Sequence, residues 1–259
     1  MRMRTYAILI LIGAGAASIA ALPYTPIPAH YHAFTDRLSA LAGFGADRIR
    51  ARVLPALEQE LTEFGLAIGT PVYLRVFTLD KNLEVWLRAN NGRYQLFKNL
   101  TLCGKDPDTD STTLPENTGG VPVGIYRVSR DGLIPNSPQH LAVELMPLPD
   151  NNPETDTAQD QTALLQGACA NETALALDNT DIEPVWLLVD AALRAGLPNV
   201  PVHVFDRHYQ NDDVVNLGDD AMDAAPAPGL YDVYAAFERR RIPPEIHKTD
   251  GRYQVGNGG

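Results

Sequence analysis

Cysteine is nearly missing from this 259-residue chain, which carries only Cys103 and Cys169. Two thiols cannot build a disulfide-dense mini-scaffold or a four-thiolate metal centre. Basic charge is scarce too: 21 Lys+Arg stand against 32 Asp+Glu, a net charge of −11. Nucleic-acid binding requires clustered cations that neutralise phosphates, and only Arg239-Arg240-Arg241 gathers them, so no nucleic-acid partner is expected. Beyond the N-terminus no apolar run is long enough to span a bilayer. There is no nucleophile elbow around a serine, no His-Glu-x-x-His and no phosphate-cradling glycine loop, so no cofactor is expected. What is present is an ordinary globular balance, 45% hydrophobic and 20% charged, with 20 Gly and 20 Pro spread without period. Many turns should result.

At the N-terminus, Met1-Arg2-Met3-Arg4 precedes an apolar stretch from Ala7 to Leu22. That stretch is shorter than the ~20 residues that cross a bilayer comfortably, and Ser18-Ile19-Ala20 supplies small residues for cleavage. Residues 1–22 therefore read as an export signal or an N-terminal membrane anchor, and the mature chain is expected in a disulfide-permissive compartment.

After a Pro-rich passage, Ile49, Val53, Leu57, Leu61 and Phe64 recur at helical spacing, with Pro55 discordant, so the extension over 23–69 is expected to hold an amphipathic helix from Ala46 to Leu66. From Pro71 the period becomes two. Strands are predicted over 72–77 and 83–88, and Asn91-Gly92 predicts a type I′ hairpin turn into a third strand, Tyr94 to Leu102. Shorter strands are predicted over 124–128, 141–145, 164–165 and 200–205. One helix interrupts them: Thr180-Asp181-Ile182-Glu183 fits a capping box, Pro184 falls in the first turn, and Gly196 and Pro198 close it. The expected fold is α+β, a mostly antiparallel domain over 70–259 with the N-terminal helix and one or two further helices packed on it.

The segment Asp106-Pro107-Asp108-Thr109-Asp110 starts like a calcium loop, but Ser111 stands where the sharp turn needs Gly and Asn117 where a bidentate Glu is needed. No metal site is expected. His140, His203 and His247 sit in or beside strands and His208 in a loop, where a packed or surface histidine is the ordinary reading.

Several runs carry a resemblance: Leu83-Glu84-Val85-Trp86-Leu87-Arg88, Gly92 to Lys98, Leu102-Cys103, Pro122-Val123-Gly124-Ile125-Tyr126, Pro135-Asn136-Ser137 with His140-Leu141-Ala142, Gln166-Gly167-Ala168-Cys169, Val202 to Phe205, and Gly251-Arg252-Tyr253. In order and spacing, over roughly residues 48–255, they resemble the L,D-transpeptidase catalytic domain of the YkuD superfamily, in its YafK-like branch. The resemblance implies a sandwich- or barrel-like sheet and an exported bacterial protein acting on peptidoglycan. Its chemistry uses a Cys nucleophile, a His that takes its proton, and backbone N–H groups for the oxyanion. The family motif is His-Gly-x-Cys-x-Ser-x-Gly-Cys. Here the His position is Gln166, the Ser position Asn171, the Gly position Thr173 and the nucleophile position Ala174.

An alanine methyl cannot attack a carbonyl, and a glutamine amide is not a base near neutral pH. The resemblance thus implies a catalytically inactive relative whose partner is peptidoglycan or an envelope protein. A working peptidase or transpeptidase rewired around Cys169, with His140 or His203 brought close, remains the alternative. Family members also carry cysteine at the positions of Cys103 and Cys169, which implies a disulfide between them. The loops 104–117 and 150–160 are acidic where the family shapes its substrate cleft, which would repel stem-peptide carboxylates.

Overall fold

A computed structural model describes residues 44–103, 121–153, 163–169, 175–209 and 227–256. Residues 1–22, most of both acidic loops, and Asn171, Thr173 and Ala174 lie outside the described residues. Within the unit Gly43–Gly259 the elements run α1 (Phe44–Glu63), β1 (Val72–Phe77), β2 (Asn82–Arg88), β3 (Tyr94–Thr101), β4 (Gly124–Val128), β5 (Leu133–Ser137), β6 (His140–Pro147), β7 (Ala163–Gln166), β8 (Leu175–Ala176), α2 (Asn179–Arg194), β9 (Val200–Phe205), α3 (Leu230–Arg240), β10 (Ile246–Thr249) and β11 (Arg252–Val255). The class is α+β.

The main sheet runs β3-β2-β1-β9-β4-β6-β7-β8, with β5 paired to β6, and a separate hairpin joins β10 to β11. Every pairing is antiparallel except β1 with β9 and β7 with β8. An isolated bridge pairs Cys103, just past β3, with Ala176 of β8. The two ends of the strand order therefore meet, and the sheet curls like an incomplete barrel with one stitched seam.

Strand alternation sends β1 side chains to opposite faces, and both faces are covered. Val72, Leu74 and Val76 join Leu83, Val85, Leu57, Leu61 and Trp186 in the main core beneath α1 and α2. Tyr73 packs with Trp86 and Phe237, and Phe77 with Phe205, Leu230 and Val233, beneath α3. The period-two pattern thus marks a two-sided strand. Its second face is lined by aromatics and one arginine.

The structure departs from the sequence reading in several places. The β2–β3 turn has positive φ only at Gly92 (81°), not at Asn91, and the Gly92 N–H donates to the Ala89 carbonyl, so the connection is a longer loop with a left-handed glycine rather than type I′. Helix α2 begins at Asn179 after Asp178, so Thr180 lies inside the first turn and makes no capping box. Glu183 faces away from that role, towards Arg52 and His140. Helix α1 stops at Glu63, leaving Phe64 exposed and edge-on to Phe97. Helix α3 takes up the allowance for a second packed helix, which the sequence reading placed nowhere, and strands β8, β10 and β11 were not predicted. Among the described residues no helix is long and apolar enough to cross a membrane.

Candidate functional site

Gln166 ends β7. Its Cα pairs with Ala142 on β6 and Ala176 on β8, and its carbonyl accepts the Leu177 N–H at 2.9 Å. The side chain is 1% exposed, and its Nε2 has no hydrogen-bond partner. A buried amide donor left unmatched is costly unless something answers it. Leu175, which follows Ala174, pairs with Leu165, which precedes Gln166. The resemblance's base position therefore lies at a sheet end, beside the strand that follows its nucleophile position.

The next residues are tightly built. The Gly167 N–H donates to the Leu141 carbonyl at 2.9 Å, and a Cβ there would stand 2.8 Å from both Gln139 O and Asn179 Oδ1, so only glycine fits. Ala168 holds φ +62° and donates its N–H to Asn179 Oδ1 at 2.9 Å, tying the turn to the start of α2. Cys169 is bonded to Cys103, with Cα atoms 5.2 Å apart across 66 residues of sequence, and the chain has no free cysteine. The Cys103 N–H also donates to the Ala176 carbonyl at 2.9 Å. Disulfide and backbone bridge thus close the same seam. A disulfide sulfur is no thiolate, so the nucleophile the alternative needs is tied up.

Both histidines have other partners. His140, at φ +76°, sets Nε2 2.8 Å from Glu183 Oε1, and Arg52 pairs with the same carboxylate oxygen. His203 is buried on β9, separated from β7 by the two strands β4 and β6, with Nδ1 2.7 Å from the Tyr73 hydroxyl. Burial, and then the Arg75 charge, push its pKa down to about 3, so the ring is neutral and its Nδ1 can accept a hydrogen bond from the Tyr73 hydroxyl. Burial raises the Tyr73 pKa, keeping that hydroxyl protonated.

Sequence reasoning missed a second polar cluster beneath α3. Arg75 is 1% exposed, with Nη1 2.7 Å from Glu238 Oε1 and 3.4 Å from Glu84 Oε2. Its guanidinium lies within 4.7 to 5.9 Å of the ring centres of Phe77, Trp86, Phe205, Tyr234 and Phe237. Glu84 also accepts from Trp86 Nε1 at 2.7 Å and meets His208 Nε2 at 3.2 Å, while Asp80 meets His208 Nδ1 at 2.7 Å. The only signal in the sequence was an arginine in an otherwise apolar strand. The arrangement neutralises a core cation with two carboxylates and aromatic faces. Among the described residues no group of His, Cys, Asp and Glu could hold a metal ion.

No family model matches the chain, and no curated protein matches it. Among solved structures, that of Bd1075 from Bdellovibrio bacteriovorus is similar at TM-score 0.34 and 16% identity, over 56% of this chain and 51% of that one. The chain thus spans about half the length of that structure, and so slight a likeness carries no argument about activity.

Proposed function

We propose that the chain is an exported, YafK-like protein of the L,D-transpeptidase family that has lost the chemistry of its scaffold. It holds peptidoglycan, or an envelope partner, without cutting or joining it. The carrying observation is the buried Gln166 amide at the base position, next to a disulfide that occupies both cysteine sulfurs of the chain. Acyl transfer by this route needs a thiolate and a base. An amide, an alanine at 174 and a bonded Cys169 supply neither. The disulfide also favours an oxidising compartment, and with the N-terminal export segment it supports a periplasmic location.

The test is incubation of the full chain with purified sacculi, followed by sedimentation and mass spectrometry of released muropeptides. Co-sedimentation with no released fragment is the expected result, and release or crosslinking of muropeptides would overturn the reading. Ala174→Cys with Gln166→His is expected to give only slow wall turnover, because the acidic loops still repel stem peptides. Brisk turnover would contradict that account.

A further inference from the structure

In a chain with net charge −11, the placement of its few cations is informative. The Tyr94 N–H donates to the Arg241 carbonyl at 2.6 Å, which fixes the C-terminal end of α3 on the start of β3. Tyr94 is opposite Arg88 in register, and the Ala89 N–H donates to the Arg93 carbonyl. Arg88, Arg93, Arg239, Arg240 and Arg241 therefore converge on one end of the α3 layer.

The fold uses one of them. Arg241 pairs with Glu238 Oε2 at 2.8 Å, and its guanidinium lies 5.0 Å from the Trp86 ring centre. Arg88, Arg93, Arg239 and Arg240 are exposed and form no ion pair among the described residues. Two exposed apolar side chains flank them: Ile242, 46% exposed, and Leu96, 38% exposed and opposite Trp86 in register. Basic residues in a last helical turn complement the helix dipole, which accounts for the arginines of α3. It does not account for Arg88 and Arg93, which belong to the β2–β3 hairpin.

We propose that this arginine end is the surface by which the chain grips the carboxylate-bearing stem peptides of peptidoglycan, an inference that rests on the function proposed above. All five cations are arginine, whose planar fork matches a carboxylate with two parallel hydrogen bonds. An acidic protein is repelled as a whole by an anionic polymer, so a cationic end decides which face approaches it. From Tyr94 to Cys103 the extended chain covers about 30 Å, which separates this grip from the seam beside Gln166. The polymer is held away from the former reaction centre.

The experiment measures binding of the full chain in detergent to purified sacculi. It compares wild type, Arg239→Gln/Arg240→Gln, Arg93→Gln, and a control pair, Arg48→Gln/Arg252→Gln, whose sites are also exposed. The patch double variant should bind about tenfold more weakly at low salt, Arg93→Gln should fall in the same direction, and the control should hold wild-type affinity. Sacculi whose carboxylates have been amidated should lose wild-type binding to a similar extent. If wild type binds and the patch variants bind equally well, or the control pair falls as far as the patch pair, the inference is overturned and the proposed function stands. If amidated sacculi bind wild type undiminished, carboxylate recognition is refuted. If wild type does not bind sacculi at all, the inference falls together with the peptidoglycan half of the proposed function, and an envelope partner is left as the chain's target.

Discussion

Replacing both cysteines, Cys103→Ser with Cys169→Ser, removes a cross-link that closes a loop of 66 residues. The chain-entropy relation gives a loss of roughly 15 cal/mol/K for such a loop, or about 4 kcal/mol at 25 °C. Residual structure in the reduced unfolded chain lowers that figure. Part of the seam survives in the native state, because the Cys103 N–H still has the Ala176 carbonyl to bond. The expected net destabilisation is about 3 kcal/mol, which for a chain of this size lowers Tm by about 6–12 °C. Urea titration followed by far-UV circular dichroism measures it, and dithiothreitol added to the wild type should reproduce it. A double variant within about 1 kcal/mol of wild type would refute the claim that this bond holds the seam.

Other perturbations probe the two layers separately. Arg75→Ala removes the cation that Glu84 and Glu238 share, leaving Glu84 to Trp86 and His208 and Glu238 to Arg241, and opens a void among the five rings, so a loss of about 3 kcal/mol is expected in denaturant titration; a change below about 1 kcal/mol would contradict it. His203 is neutral in the folded chain with a pKa of about 3, against an ordinary value near 6.5 when unfolded. The unfolded state takes up the proton first, so stability is full above pH 6.5 and falls as pH drops from there towards 3, by about 2 kcal/mol at pH 5. His203→Gln should flatten that acid limb in melts recorded from pH 7 to pH 4, and an unchanged slope would count against the assignment. Gly167→Ala drives a Cβ against Gln139 O and Asn179 Oδ1 and should lower stability by about 1–3 kcal/mol in thermal melts; a neutral effect would mean the turn is looser than described.

Much of the sheet was legible because period-two alternation is strong in β1, β2 and β9, where β-branched and aromatic residues crowd together. The same pattern hid what covers the second face. Arg75 reads as a polar, outward residue until Glu84 and Glu238 are brought to it, one by strand register and the other from 163 positions away in sequence. Helix α3 carries a readable stripe, Leu230, Val233 and Phe237, but Gly229 offers no side-chain cap at its start and the left-handed position at its end is held by Arg241 where glycine is the usual signal, so nothing in the sequence announces its ends. Strand β8 spans only two residues and offers no period. At the site, the Cys103–Cys169 pairing agrees with what the family resemblance implied, whereas the end of β7 at Gln166, three residues short of Cys169, did not follow from it. The His140–Glu183–Arg52 chain did not, because its members come from three separate elements that only packing joins.

The covering of both sheet faces gives the molecule two built-in optical reporters. Its two tryptophans stand on opposite sides: Trp186 in the core under α1 and α2, Trp86 under α3 beside Arg241. With Trp86→Phe or Trp186→Phe, the emission of the remaining indole follows one layer alone. Coincident fluorescence transitions in the two variants would show the layers melting as a single cooperative body, and separated ones would show which side loosens first.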